Sequence, residues 1–124
     1  MILKEILDAA IAAMDAVGLS CTDDWRVIDL PGSFITVTNL NQFTLNGDGF
    51  AARMEMTLVA PDHGGDSDLI AVGELIEQAI SGVRSLGGAI ESIELNQQVT
   101  PPHGGKAPAS TMTFTLFYDM ENEE

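Results

Sequence analysis

Apolar residues recur at spacings of three and four in two stretches of this chain. Residues 1–17 carry such a stripe with charged residues on the opposite side, so we predict an amphipathic helix that ends at Gly18. A second stripe starts from a polar cap at Asp66 or Ser67 and runs to about Leu86. Each helix exposes one apolar side and therefore needs a core against which to pack.

The rest of the chain alternates between apolar and polar residues, which predicts β-strands. The clearest strand covers 50–60, where every second residue is apolar. A short strand is predicted over 25–30, and others over 34–38, 89–96 and 110–119. The segments between them are rich in glycine, proline and asparagine, which favour turns and loops.

The order of these elements predicts an α+β fold. Strands that follow one another through turns favour antiparallel pairing, and runs of strands beside isolated helices favour one sheet covered by helices. We expect an antiparallel or mixed sheet with the N-terminal helix and a second, central helix packed on it. The length suits a single domain over residues 1–124.

Charge excludes several classes of partner. Only five residues are Lys or Arg against nineteen Asp or Glu, so the formal net charge is −14. Nucleic-acid backbones and anionic membrane surfaces both call for clustered cations, which this chain lacks. The longest apolar runs are far shorter than the ~20 residues that cross a bilayer, and the N-terminus does not resemble a signal peptide. We therefore expect no membrane association.

Candidate catalytic residues are few. Cys21 is the single cysteine, so it excludes an internal disulfide, and no nucleophile motif surrounds it. Glu74 and Glu77 are three residues apart on the second helix, a spacing more typical of a solvated helix face than of an acid–base pair. The glycines form neither a dinucleotide-binding nor a P-loop pattern.

Two histidines stand in identical His-Gly-Gly tripeptides, at His63 and His103. Asp62 and Asp66 flank the first, but their spacing matches no known set of metal ligands, so we favour exposed loop histidines. We expect no catalytic residue, no cofactor and no metal, and hence a protein that is not an enzyme.

Long loops are predicted at 39–49 and 97–109, and such loops in a small domain are usually functional. Together with the motifs PGSFITV, ARMEMTLVAPDHGGDSDLIAVGELIEQAI and STMTFTLFYDM, they give a chain that resembles the tail terminator (tail completion) proteins of long-tailed bacteriophages. The strand that passes through LVAP into a Gly/Asp loop and then an amphipathic helix is the most telling part.

The resemblance implies a structural virion protein of the tail or neck, assembled in the host cytoplasm. Members of this family have helices against a sheet and form a hexameric ring that caps the tail tube. The ring stops tube polymerisation and joins the tail to the head connector. DNA passes through the lumen without specific binding, and an acidic lumen would repel its phosphates.

The resemblance also suggests where contacts are made. The loops from Asn41 to Gly49 and from Thr100 to Pro108 would touch the tail tube protein or the connector. The scarce cations Arg53 or Lys106 would pair with acids of a neighbouring subunit. The resulting candidate interface residues are Asn41, Asn46, Asp48, Arg53, Thr100, Pro101, Pro102, His103 and Lys106.

Three alternatives remain open from the sequence. Another head–tail neck protein, such as a head completion protein or stopper, would have a similar composition. An acidic DNA-mimic inhibitor would concentrate its acids along one surface, whereas here they are spread through the chain. A small enzyme would need a pocket with perturbed carboxylates, for which no candidate pair stands out.

Overall fold

The computed structural model describes residues 2–42, 49–62, 66–102 and 105–119. Two helices and five strands make up this part of the chain, together with one 3₁₀ turn over Trp25–Val27. In chain order the elements are α1 (Ile2–Ala16), β1 (Cys21–Thr22), β2 (Gly32–Gln42), β3 (Gly49–Val59), α2 (Asp66–Ser85), β4 (Ala89–Val99) and β5 (Ala107–Asp119).

The strands form one mixed sheet in the order β1-β2-β3-β5-β4. The short β1 runs parallel to β2, and every other neighbouring pair is antiparallel. The expected α+β fold, with an N-terminal helix and a mixed sheet, is confirmed. Two strands lie at the edges: β4 on one side, and on the other β2, which β1 covers only at Ser33 and Phe34.

Both helices pack on one face of the sheet and enclose the main core. The alternation predicted for the central strands is confirmed, because every second residue of β3 and β5 is buried beneath the helices. These strand residues are Ala52, Met54, Met56, Leu58, Met112, Phe114 and Leu116. The helices contribute Ile6, Ala10, Met14, Val72, Leu75, Ala79 and Val83. Burial of apolar surface at about 25 cal/mol per Å² makes this core the main stabilising feature of the fold.

Each helix ends in a glycine with a left-handed backbone. Gly18 has φ of 84° and Gly87 has φ of 70°, a conformation that glycine adopts without a Cβ clash. The N–H of Leu19 donates to the carbonyl of Met14 at 2.9 Å, and the N–H of Gly88 donates to that of Val83 at 3.0 Å. These bonds close Schellman motifs and satisfy carbonyls that the helices leave unpaired.

The close crossing of α1 and α2 explains a glycine inside the second helix. A Cβ on Gly82 would lie 2.5 Å from the Sδ of Met14, so the glycine lets the two helices approach. Gly73 has no such neighbour: nothing lies within 4 Å of a Cβ placed there. The helix therefore uses one of its two internal glycines for packing.

The prediction of a short strand over 25–30 is wrong. Residues Trp25–Val27 form a 3₁₀ turn, because the Asp24 carboxylate accepts the backbone N–H of Arg26 at 3.0 Å and caps the turn. The apolar residues of this segment lie against the face of the sheet that the helices leave bare. Its partial alternation reflects that packing rather than pairing with a strand.

Both predicted long loops are shorter than expected. β2 continues through Gln42, so its last four residues belong to the sheet and not to a loop over 39–49. At the other end, β4 continues to Val99 and β5 begins at Ala107, where Val99 pairs with Ala107. Polar residues and a proline disguise these strand ends, because neither type has a strong preference for strands.

Candidate functional site

The face of the sheet opposite the helices divides into an apolar half and a polar half. The apolar half is a small core of Ile28, Val59, Ala107 and Ala109, which the segment 25–30 covers. Trp25 packs edge-on against Phe34 of β2, with ring centroids 5.7 Å apart and an interplanar angle of 76°. The segment 25–30 thus covers this half of the face.

A paired aspartate and arginine fix the segment that covers the small core. The Nε and Nη2 atoms of Arg26 donate to the two carboxylate oxygens of Asp24, each at 3.0 Å. These hydrogen bonds hold the pKa of Asp24 below its ordinary value and the pKa of Arg26 above its own. Because both groups are exposed, the pair orients the segment more than it stabilises the fold.

The polar half, which we call the open face, is uncovered among the described residues. Its centre is a shallow depression of about 330 Å³, lined by Asn39, Asn41, Ala51, Arg53, Glu91 and Thr115. These residues come from β2, β3, β4 and β5, which the strand order places side by side. Polar side chains from all four strands meet here, as on a sheet face that contacts water or a polar partner.

An ion pair crosses the floor of the open face. The Nε of Arg53 lies 3.3 Å from the Oε2 of Glu91, and the hydroxyl of Thr115 donates to the same oxygen at 3.0 Å. The hydroxyl of Thr38 donates to the carbonyl of Arg53 at 3.1 Å. These contacts hold Arg53 in position, while its side chain stays 55% exposed to solvent.

Threonines extend the open face along β5. Thr111, Thr113 and Thr115 point away from the helices, opposite Thr57, Glu55 and Arg53 of β3. The hydroxyl of Thr111 donates to the side-chain oxygen of Gln97, whose amide donates to Glu94 at 2.8 Å. Short hydroxyl side chains keep this part of the sheet flat and accessible.

The structure separates the predicted interface residues into two groups. Asn41 and Arg53 come together on the open face, and Asn41 lies near the connection between β2 and β3. Thr100, Pro102 and Lys106 are exposed in the connection between β4 and β5, where Pro101 is buried. Asn46, Asp48 and His103 lie outside the described residues.

These two connections lie at opposite ends of the sheet. Gln42 pairs with Phe50 at one end of β3, whereas Val59, at the other end, pairs with Ala109 of β5. Because Ala107 pairs with Val99, the connection from β4 to β5 leaves the sheet at that second end. A partner at each end could therefore be contacted without one obstructing the other.

A second surface, which the sequence did not reveal, lies at the β4 edge. Leu69 on α2 and Leu95 on β4 belong to apolar patterns, yet they are 70% and 59% exposed. They flank an apolar groove of about 510 Å³ that we call the edge groove, lined by Asp68, Leu69, Val72, Gly73, Ile76, Leu95, Gln97, Pro108 and Ala109. Leu69 continues the apolar stripe of α2, but it lies at the rim of this groove and not in the core.

The described residues carry little reactive chemistry. They contain no group of three or more His, Cys, Asp or Glu side chains positioned to hold a metal ion. Burial raises the pKa of the Cys21 thiol, which disfavours the nucleophilic thiolate. His63 lies outside the described residues, as does His103. Neither described helix is long and apolar enough to cross a lipid bilayer.

A scan against protein-family models and a search of curated proteins both find no match for this chain. The open face, the two ends of the sheet and the edge groove are therefore the features from which a function has to be inferred.

Proposed function

We propose that this protein is a tail terminator of a long-tailed bacteriophage. It assembles as a hexameric ring that caps the tail tube, stops tube polymerisation and joins the tail to the head connector. It acts as a structural protein and not as an enzyme. The observation that carries the proposal is the placement of the two candidate contact regions at opposite ends of one sheet.

That placement suits a protein that joins two structures. A ring between the tail tube and the connector needs one region that contacts the tube and another that contacts the connector. Here the β2–β3 and β4–β5 connections lie at opposite ends of the sheet. Thr100, Pro102 and Lys106 are exposed at one end. Asn41 lies near the other end, and Arg53 lies close to the middle of β3. The open face lies between the two ends and carries mainly polar side chains, apart from Ala51 and the exposed Phe117 that pairs with it.

Charge supports a channel through which DNA slides. The open face carries Glu55, Glu91 and Glu94, and its single arginine is paired with one of them. Phosphates bind where unpaired cations cluster, so this surface would repel them. The net charge of −14 extends the same repulsion over the whole subunit.

The distribution of acids gives less support to a DNA mimic. Asp8 and Asp15 are exposed on α1, Glu74 and Glu77 on α2, and Glu94 on β4, so the carboxylates are on several sides of the subunit. A mimic of duplex DNA would present them in rows along one surface. The scatter fits solubility and mutual repulsion better than such an imitation.

The first test is the mass of the purified protein in solution, measured by light scattering and followed by negative-stain imaging. We expect rings of about six times the 13.2 kDa subunit mass. Because subunits of like charge repel, assembly should strengthen from about 0.01 M to about 0.1 M salt, as the screening length falls from about 30 Å to about 10 Å.

Adding polymerising tail tube protein of the same phage separates the terminator from other neck proteins. A terminator binds tube ends and shortens the tubes seen by electron microscopy, whereas a stopper leaves their length unchanged. A protein that stays monomeric at both salt concentrations and in the presence of tubes would contradict the proposal. Unchanged tube length with intact rings would favour the neck protein.

A further inference from the structure

We propose that the edge of β4 and the edge groove bind an extended segment of a partner protein, which adds a strand to the sheet. The segment has apolar side chains on one side and basic side chains on the other. This inference does not depend on the proposed function, because it is argued from the edge of β4 and the groove beside it and needs neither ring assembly nor the two connections.

The β4 edge supplies the main-chain half of such a site. β4 is eleven residues long and pairs with β5 alone among the described parts of the chain. Its outward backbone N–H and C=O groups therefore have no strand partner, and an added strand would satisfy them. Register shifts between Ile90 and Ser92 and between Glu94 and Gln97 interrupt β4, so the added segment would pair with it in short stretches.

The edge groove supplies the side-chain half. Leu69 and Leu95 stand on its two sides with 70% and 59% of their surfaces exposed, and Val72 and Ile76 line it below. Every second side chain of a strand added to β4 would point to the helix-covered side, where this groove lies. Apolar residues at those positions would bury both leucines. The groove thus favours a segment in which every second side chain is apolar over a segment that is polar throughout.

The acidic residues of β4 favour basic side chains on the other side of the added segment. On the open face, Glu91 and Glu94 of β4 border the position of an added strand. Their close neighbours are Arg53, paired with Glu91 at 3.3 Å, and Gln97, which donates to Glu94 at 2.8 Å. In a chain of net charge −14, lysine or arginine on the added strand would meet a favourable field.

The same carboxylates disfavour a second copy of β4 as the occupant. Pairing two copies of this edge would bring Glu91 and Glu94 of one subunit beside the same acids of the other. Like charges on neighbouring strands destabilise a sheet. The field around the edge therefore favours a different, basic chain.

The inference is tested with labelled synthetic peptides of about ten residues, the upper end of common strand lengths. The first alternates Val and Lys, the second alternates Val and Glu, and the third is the Val/Lys peptide N-methylated at every second residue. Binding is measured by fluorescence anisotropy on the full-length protein. A variant carrying Leu69→Glu and Leu95→Glu tests the groove, and Val27→Glu is its matched control, because Val27 is 61% exposed but lies elsewhere.

We expect saturable binding of the Val/Lys peptide, with affinity reduced at least about tenfold by the double substitution and by N-methylation. The double variant gains two negative charges, so unspecific attraction would increase its affinity for a cationic peptide. A loss can therefore come only from the groove. Val27→Glu should bind like the unaltered protein.

Any of three results would overturn the inference: no saturable binding, equal binding of the Val/Glu peptide, or undiminished binding by the double variant. Dimerisation through β4, seen as a concentration-dependent mass abolished by Leu95→Glu, would overturn it in favour of a second copy. Circular dichroism checks the fold of each variant. If the double variant is unfolded, the N-methylated peptide on the unaltered protein decides the matter.

Discussion

Gly32 has no room for a methyl group. A Cβ at this position would lie 2.1 Å from the carbonyl oxygen of Asp29, a backbone atom that cannot rotate away. We expect Gly32→Ala to lower the free energy of unfolding by about 3 kcal/mol, the upper end of the range for overpacking. Urea denaturation followed by circular dichroism measures the loss.

The matched control is Gly105→Ala. Nothing lies within 4 Å of a Cβ at Gly105, which is exposed before β5. We expect the urea midpoint of Gly105→Ala to stay close to that of the unaltered protein. Equal urea midpoints for the two variants would contradict the prediction. They would mean that the backbone around Asp29 shifts and makes room for the methyl group.

For single residues, the sequence predicted well which apolar side chains are buried in the strands, and it predicted poorly which residues are exposed or paired at the surface. Met54, Met56 and Phe114 are buried as their alternation indicates. Leu69 is also apolar and continues the helical stripe of α2, yet it is exposed, because periodicity tells which side of a helix is apolar but not how much of that side another element covers. Arg53 could be singled out for its rarity, but its pairing with Glu91 depends on β4 lying two strands away.

Among the elements, α2 has a glycine inside it and another just after it for which substitution should have opposite effects. Gly87 follows the helix with φ of 70°, and a left-handed alanine costs roughly 1–2 kcal/mol. Gly73 lies inside the helix with open space around it, where alanine gains about 0.5–1 kcal/mol in helix propensity. We expect Gly87→Ala to lower the thermal midpoint and Gly73→Ala to raise it.

Calorimetry on the two variants measures both effects under one set of conditions. A Gly87→Ala variant as stable as the unaltered protein would mean that the helix ends without its Schellman motif. A Gly73→Ala variant that is less stable would place a neighbour where the structure shows space.

Local sequence was sufficient to predict some of the helices and strands but not others. Both helices and the strand at 50–60 are periodic over many residues, and the structure confirms them. The segment 25–30 depends on Asp24 as a local cap and on Val59 and Ala109 as distant partners. Its apolar residues alone resemble a strand, and only the remote partners decide otherwise. The polar ends of β2 and β4 were missed for the same reason.

For the whole molecule, Arg53 links the fold to the proposed assembly. Its ion pair with Glu91 is half exposed, with side chains 55% and 41% accessible, so Arg53→Gln should change the free energy of unfolding by less than about 1 kcal/mol. If Arg53 also meets acids of a neighbouring subunit, the same substitution should reduce the fraction of protein in rings. Light scattering at matched concentration measures that fraction.

Arg84→Gln is the control, because Arg84 is an exposed cation at the end of α2, on the other side of the sheet. Both substitutions remove one positive charge, so they change the net charge equally. Equal ring fractions for the two variants would show that Arg53 takes no part in the subunit contact.

The small core beneath Trp25 gives this protein a built-in optical reporter. Trp25 is the single tryptophan of the chain, and its indole lies against Phe34 on the side of the sheet away from the helices. Its emission therefore responds to the detachment of one short segment, whereas far-ultraviolet dichroism follows the two helices on the other side. The two signals therefore report on opposite sides of the same sheet. Comparing them during denaturation tells whether the segment around Trp25 and the two helices unfold together or one after the other.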